Sequence, residues 1–293
     1  MSQEQFVGRP NPMLWQGEQD AQGAFVGAVD DGFRVLEMPQ ATRRRRMALD
    51  QGEELSSQGR ALLEKAIADL RAAALDQKSR RLSLHQLSER DLAILNDLWG
   101  EGEVSISAEG ATRFLATESV FPGLWRVETQ GQDGEPGSEW LEVAQVPDFV
   151  RRLADQVRRT DLDLSELHGQ QTMNAIPVLA ELRARARAWQ GGSDAPNHVV
   201  NFSLLPLTPA DSALIVRMLG QSGVRIRSEG YGSCRIILTG LRRVWSVQFM
   251  NQMGTVILDT LEVGDVPSVA LAAREDFEDS AQRLCELREA YLS

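Results

Sequence analysis

Between residues 57 and 75 apolar side chains return every three or four positions, at Leu62, Leu63, Ala66, Ile67, Leu70 and Ala74. That spacing gathers them on one face of an amphipathic helix. Two shorter helical stripes follow at Ile94, Leu95, Leu98 and at Leu214, Ile215, Met218. Each opens on a hydroxyl residue with a carboxylate three positions later: Ser88 with Asp91, and Thr208 with Asp211. A hydroxyl caps the free N–H groups, and the acid suits the positive helix end. Pro209 stands at the first helical position, where its missing N–H costs nothing. Gly100 and Gly220 stand where a positive-φ C-terminal cap is needed.

Elsewhere the period is two. Residues 103–107 and 224–227 alternate, and 112–117, 124–128, 234–238, 244–249, 140–143 and 256–263 read as strands. Residues 131–138 and 251–254 are turns. Pro147 and Pro267 are expected to open closing helices, striped by Val150, Leu153, Ala154, Val157 and by Phe277, Ala281, Leu284, Leu287.

These patterns occur twice. At an offset of about 120 positions, Ser83-Leu84 falls on Ser203-Leu204, and Leu87 on Leu207. Asp91 falls on Asp211, Gly100 on Gly220, and Trp125 on Trp245. Leu141-Glu142-Val143 falls on Leu261-Glu262-Val263, and Val146-Pro147 on Val266-Pro267. About a quarter of the positions are identical, against roughly 6% by chance, which implies an internal duplication. The expected fold is α+β: two tandem pseudo-twofold repeats, each an antiparallel sheet with flanking helices.

The expected organisation is an irregular amino-terminal arm at 1–53, an amphipathic helix at 54–80 and a first repeat at 81–160. A linking helix at 161–196, with Leu179, Leu182 and Ala186 on one side, leads to a second repeat at 197–293. Residues 197–205 read as a strand entering it.

Charge narrows the partners. The net charge is −11, from 42 acidic and 31 basic residues. Nucleic acid and anionic membrane surfaces are disfavoured, because both need clustered positive charge. No apolar stretch approaches the length of a membrane span, and residues 1–11 lack a signal peptide's basic start and apolar run. The two cysteines, Cys234 and Cys285, are far apart and outside any C-x-x-C, as in a reducing cytosol.

Reaction chemistry is sparse. His85, His168 and His198 have no His or Cys at metal-ligand spacing, and two cysteines cannot hold a four-thiolate cluster. There is no G-x-S-x-G. Gly100-Glu101-Gly102-Glu103 lacks the Lys-Ser/Thr of a phosphate loop and reads as a turn, the alternative being an acidic contact loop in the first repeat alone. Glu142 and Glu262 are expected to point from their strands to solvent or to an intrachain Arg. Trp125 and Trp245 read as sheet-packing residues or, if exposed, as parts of a binding patch. No metal, cofactor or catalytic residue is assigned. The candidate partner-binding residues are Glu101, Glu103, Phe121, Trp125 and Trp245.

Three strings carry a family likeness. They are Gly100–Ile106, Glu118–Val127 and Met173–Glu181, in order with Leu-Glu-Val and Val-Pro at 141–147 and 261–267. Over roughly residues 80–290 the chain resembles the hydrogenase expression/formation family of the HupH/HyaF/HoxQ type. Pro122 departs from the family pattern, where a small residue such as Ala is expected. The resemblance implies a non-enzymatic, cytoplasmic maturation chaperone for membrane-bound nickel–iron hydrogenase. It also implies binding of the small, iron–sulfur-bearing subunit precursor before export, beside a thioredoxin-like companion. The alternatives are an iron–sulfur or redox-active maturation factor using Cys234 and Cys285, and an unrecognised enzyme.

Overall fold

The computed structural model describes residues 54–131, 137–167, 172–191, 196–230 and 232–291. The expected arm at 1–53, His168 and most of the turn at 131–138 lie outside them.

The first repeat contains α1 (Ser57–Asp76), β1 (Arg80–Ser83), α2 (Glu89–Trp99) and β2 (Val104–Ala108). It continues with β3 (Arg113–Glu118), β4 (Leu124–Gln130), β5 (Glu139–Val143) and α3 (Asp148–Gln156). The second contains α4 (Ala175–Ala188), β6 (His198–Asn201), α5 (Pro209–Leu219) and β7 (Gln221–Gly230). It ends with β8 (Gly232–Thr239), β9 (Val244–Met250), β10 (Val256–Val263) and α6 (Arg274–Tyr291).

The antiparallel order β1-β5-β4-β3 in the first repeat is repeated as β6-β10-β9-β8 in the second, where β7 follows. Glu118 faces Trp125 in the β3–β4 register, and Leu238 faces Trp245 in β8–β9. The fold is therefore α+β with tandem antiparallel repeats.

Two compact units result, and each borrows its closing segment from the other repeat. The amino-terminal unit holds the described residues up to Ser105, Ala111–Asp148 and Leu271 onward. The carboxy-terminal unit holds Ile106–Gly110 and Phe149–Ala270. In the amino-terminal unit, α1 (Leu63, Ile67, Leu70) and α2 (Ile94, Leu95, Leu98) pack on Leu82, Leu124, Leu141 and Val143 from the sheet. Phe277, Ala281 and Leu284 of α6 complete that core. In the other unit α4 (Val178, Leu179, Leu182) and α5 (Leu214, Ile215, Leu219) do the same, and Leu162 and Leu167 stand where α6 stood. Burying side chains of this size stabilises by about 1.5–3 kcal/mol each.

This packing changes the expected organisation. The helix expected as a separate piece at 54–80 and the one expected as a linker at 161–196 are the opening helices of the two repeats. Both are core elements because their apolar stripes cover equivalent sheet faces. One carboxylate per repeat fastens the opening helix to the next. Asp211 accepts from the backbone N–H groups of Met173, Asn174 and Ala175, each at 2.9 Å, and from Thr208 N and Oγ1 at 2.8 and 2.7 Å. Asp91 accepts from Ser56 N and Oγ at 2.8 and 2.6 Å and from Ser88 Oγ at 2.9 Å. Burial opposes ionisation at both, yet these donors hold both pKa values below the usual carboxylate range, that of Asp211 at about 2.

Three local expectations shift. In the strand pairing Ser83 corresponds to Asn201 rather than Ser203, since they face Trp140 and Thr260 of β5 and β10. Leu84 is accordingly buried while Leu204 is exposed. The strand expected at 197–205 ends at Asn201, whose side chain accepts from Ser203 N and starts a 3-10 turn. Pro267 likewise opens a 3-10 turn at Ser268–Ala270, and the closing helix starts only at Arg274.

A candidate acidic site at the first repeat

The two strings Gly100–Glu103 and Glu118–Trp125 meet in the amino-terminal unit. Gly100 ends α2 at φ +56°, its N–H donating to Asn96 O. Gly102 N then donates to Glu118 O at 2.7 Å, and Val120 N to Trp99 O at 2.9 Å. A Cβ on Gly102 would lie 2.3 Å from Ser119 O, so only glycine permits this approach. Glu101 and Glu103 flank it and are exposed.

The turn from β3 to β4 is built the same way in both repeats. Ser119 Oγ accepts from Phe121 N at 3.1 Å and donates to Phe121 O at 3.0 Å. Thr239 Oγ1 makes the same pair with Leu241 at 3.2 Å. The last turn residue has positive φ in each: Gly123 at +85° and Arg243 at +62°. Glycine is required at the first, because an added Cβ would sit 2.4 Å from the Phe277 ring of α6. Ser280 Oγ, one turn along α6, donates to Pro122 O at 2.9 Å.

Glu118 lies at the centre of this arrangement, 8% exposed, with Oε1 accepting from Gly123 N at 2.8 Å. Burial pushes its carboxyl up to about 7, opposed by that hydrogen bond and reinforced by the negative charges of Asp276 and Glu103. Among the described residues no Lys or Arg lies within ion-pair distance of Glu118, Glu101 or Glu103. The second repeat has no such acids: Gln221, Gly223 and Leu238 stand at the corresponding positions. Its turn instead carries Arg242 and Arg243. Arg242 Nε donates to Val157 O at 2.9 Å, while Arg243 pairs with Asp265 at 2.9 Å and with Asp155, and stacks 4.6 Å from the Trp189 ring.

Of the residues singled out from the sequence, the structure brings Glu101 and Glu103 to the surface of this junction. Phe121 and Trp125 lie beneath it, buried. The Phe121 ring lies under the Arg283 guanidinium at 5.2 Å, and Trp125 Nε1 donates to Ala144 O at 2.9 Å. Trp245, in the other unit, is fully buried as well. As partner-binding candidates, Phe121, Trp125 and Trp245 are corrected: Phe121 in the turn, and the two tryptophans on the strand faces opposite Leu124 and Val244, are all fully buried, where no partner reaches them. Glu142 is also fully buried rather than turned to solvent. It accepts from Ser79 Oγ (2.8 Å), Trp140 Nε1 (2.9 Å) and Asp148 N (2.7 Å), with Arg81 at 3.5 Å. Glu262 accepts from Asn197 Nδ2 at 3.0 Å, and burial raises its pKa against that bond.

Glu118 and Asp276 were not singled out. A signal for Glu118 exists: it shares strand parity with buried Ala116 and takes the place of Leu238 in the other repeat. Asp276 becomes part of the site only through the return of α6, which no local pattern encodes.

The cysteines bear on redox chemistry. Cys234 is buried, and burial, with Glu262 adding to it, pushes its thiol up to about 12. Cys285 is partly exposed on α6, with Arg288 Nη2 3.2 Å from its sulfur. Among the described residues no group of three His, Cys, Asp or Glu side chains is placed to hold a metal ion. No described helix is long and apolar enough to cross a membrane.

The twofold build has a counterpart in a known family. The model of the HupH hydrogenase expression protein, C-terminal conserved region, matches this chain twice in tandem, over residues 58–169 and 172–291. The chain belongs to the HupH hydrogenase-expression family. The matched segments begin at the opening helices, in agreement with their place as core elements. Among its relatives, the hydrogenase expression/formation protein HoxQ of Azotobacter vinelandii is 42% identical over 256 residues, covering 86% of this chain and 90% of the relative. HupH of Rhizobium leguminosarum bv. viciae is 37% identical over 92% of this chain and 98% of its own. The hydrogenase-1 operon protein HyaF of Escherichia coli is 35% identical over 70% of this chain and 71% of its own.

Proposed function

We propose that this protein acts in hydrogenase maturation as a non-catalytic, cytoplasmic assembly chaperone. Its client is the small-subunit precursor of a membrane-bound nickel–iron hydrogenase before export, received beside a thioredoxin-like companion. The family and the relatives' names support the role in hydrogenase formation. The observation that favours binding over catalysis is the exposed pair Glu101 and Glu103, which among the described residues have no cation within ion-pair distance. Unpaired surface carboxylates attract a basic segment at long range and set the rate of encounter. A twin-arginine-type export signal is such a segment.

Thiol-based redox maturation is disfavoured by Cys234, since a thiol ionising near pH 12 supplies almost no thiolate at neutral pH. The test is co-purification of the full chain with the small-subunit precursor, with and without its export signal. Enrichment that requires the signal, falls with added salt and drops several-fold in the Glu101→Lys/Glu103→Lys double variant is the expected result. No enrichment of either precursor form would sink the proposal.

A further inference from the structure

We infer that Glu118 is a proton-sensitive latch for α6, so that the closing helix is seated firmly on the acidic side of neutrality and loosened on the alkaline side. The inference rests on the packing around one buried carboxyl and is independent of the client proposed above.

The geometry is a chain of contacts within the amino-terminal unit. Glu118 Oε1 accepts the Gly123 N–H at 2.8 Å and so holds the turn 119–123 against β3. That turn is the floor of the α6 seat: Gly123 lies under the Phe277 ring, Pro122 O accepts from Ser280 Oγ, and Phe121 lies under Arg283. Among the described residues the charges that face Glu118 are acids, while the cations of α6 are paired along their own helix, Arg274 with Glu278 and Arg283, above the Phe121 ring, with Asp279. The first turn of α6 presents Asp276, whose Oδ2 accepts from Ala273 N at 2.7 Å, and the segment before β2 presents Glu103. The turn itself offers only the Gly123 N–H, the end of α2 offers the Trp99 carbonyl to Val120, and β4 places Trp125 opposite.

Ionising Glu118 therefore puts a third negative charge beside Asp276 and Glu103 in a poorly solvated place. Moving α6 away relieves this twice, by removing Asp276 and by admitting water. A neutral Glu118 costs neither, and still accepts from Gly123. The second repeat, with Leu238 at this position and an irregular segment in place of α6, has no such device.

The sign follows from linkage. With α6 seated the carboxyl titrates at about 7, and with α6 away it returns toward the ordinary value of 4.5. The seated form binds the proton more tightly, so seating is strongest at low pH and is lost as pH rises through the seated value. Between pH 6 and pH 8 the seating equilibrium falls about tenfold.

Amide hydrogen exchange on the full chain tests this, with rates at pH 6 and pH 8 corrected for the intrinsic pH dependence of exchange. In the wild type, protection of residues 274–291 is expected to drop about tenfold while β8–β10 stay unchanged. In Glu118→Gln, which keeps a carbonyl for Gly123 N, protection of α6 is expected to be equal at the two pH values. Asp276→Asn removes one repelling charge, so the pH at which α6 loosens should move downward. That variant carries the test if Glu118→Gln does not fold. Flat protection of α6 in the wild type, or a Glu118→Gln or Asp276→Asn protein that follows the wild-type profile, overturns the latch.

Discussion

Replacing Asp211 with alanine should destabilise the carboxy-terminal unit by about 4 kcal/mol. The wild-type carboxylate is fully buried and accepts from five donors, four of them backbone N–H groups on two different segments. Asn174, the residue before α4, makes no side-chain cap of its own, so Asp211 is what satisfies the start of that helix. Each buried N–H left without a partner costs about 1–3 kcal/mol. Water entering the space left by the carboxylate offsets part of that, which brings the sum to the range for breaking a buried charged network. Asn at this position keeps one accepting oxygen for Met173, Asn174 and Ala175 but turns an amide N–H₂ toward the Thr208 N–H. Its expected cost is about 2–3 kcal/mol. The assay is urea unfolding at pH 7, read with hydrogen exchange at residues 173–178 and 208–212. Exchange is needed because two compact units need not unfold in one step. The carboxylate is held at about pKa 2 when folded against an ordinary 3.8, so its contribution is complete above pH 4. It is lost as pH falls from 4 toward 2, by about 1–2 kcal/mol after allowing for screening. Wild type should lose that increment on acidification and Asp211→Asn should not. A loss below 1 kcal/mol for Asp211→Ala, with unchanged exchange at 173–178, would refute the reasoning.

Other perturbations separate further parts of the structure. Glu142→Ala should cost about 3–4 kcal/mol in chemical denaturation, because Trp140 Nε1, Ser79 Oγ and Asp148 N lose a buried acceptor together. Gly123→Ala should cost more than 2 kcal/mol, through positive φ and the collision with Phe277, and adding Phe277→Leu should recover part of it in a double-mutant cycle. Native protein should react with a thiol reagent at Cys285 alone, and Cys234 should become reactive only on unfolding, as mass spectrometry of labelled peptides would show. Leu70→Ala should cost about 2–5 kcal/mol, whereas Leu75→Ala should be near neutral, since Leu70 is buried and Leu75 exposed on the same helix.

Elements that bury one regular face are plain in the chain. The stripe from Leu62 to Ala74 is α1, and 256–263 is β10 to the residue. The strand β1 was not visible, because Arg80-Arg81-Leu82-Ser83 carries one apolar residue, and its hold comes from pairing with β5. The delayed start of α6 was hidden for a related reason. Pro147 leads directly into α3, whereas Pro267 has its carbonyl taken by Ala270 N in a 3-10 turn. The duplication was legible from identities alone, but a gapless offset misplaced Ser83 and Leu84, since the second repeat spends two more residues between its first strand and its next helix. Exchange of the closing segments left no mark in either repeat, because each apolar stripe only states that a face is covered, not by which neighbour. The acidic loop was legible as an asymmetry between the copies. Glu118, its buried member, was missed because it fell just past the strand expected at 112–117 and was not compared with Leu238.

That comparison carries the sharpest argument about how the copies divided their work. A duplicated module starts with equal turns, and here both kept the hydroxyl that braces the β3–β4 corner, Ser119 in one and Thr239 in the other. The residues after it diverged in opposite directions. In the second repeat Arg242 and Arg243 point inward to the chain's own groups, the Val157 carbonyl, Asp155 and Asp265. Arg243 accepts a positive φ to do so, a conformation that costs a non-glycine residue about 1 kcal/mol or more. Arg243→Gly therefore relieves backbone strain while deleting the ion pairs, and the net effect shows which matters more. Asp265 is mostly buried and keeps Arg151 at 3.1 Å, so removing Arg243 leaves it half-compensated rather than bare. A net loss of about 1–2 kcal/mol in urea unfolding is expected, smaller than for Asp211→Ala. A gain in stability would mean that the second turn is strained without structural return, and the case for reading it as the purely structural copy, with contact left to the acids of the first, would fail.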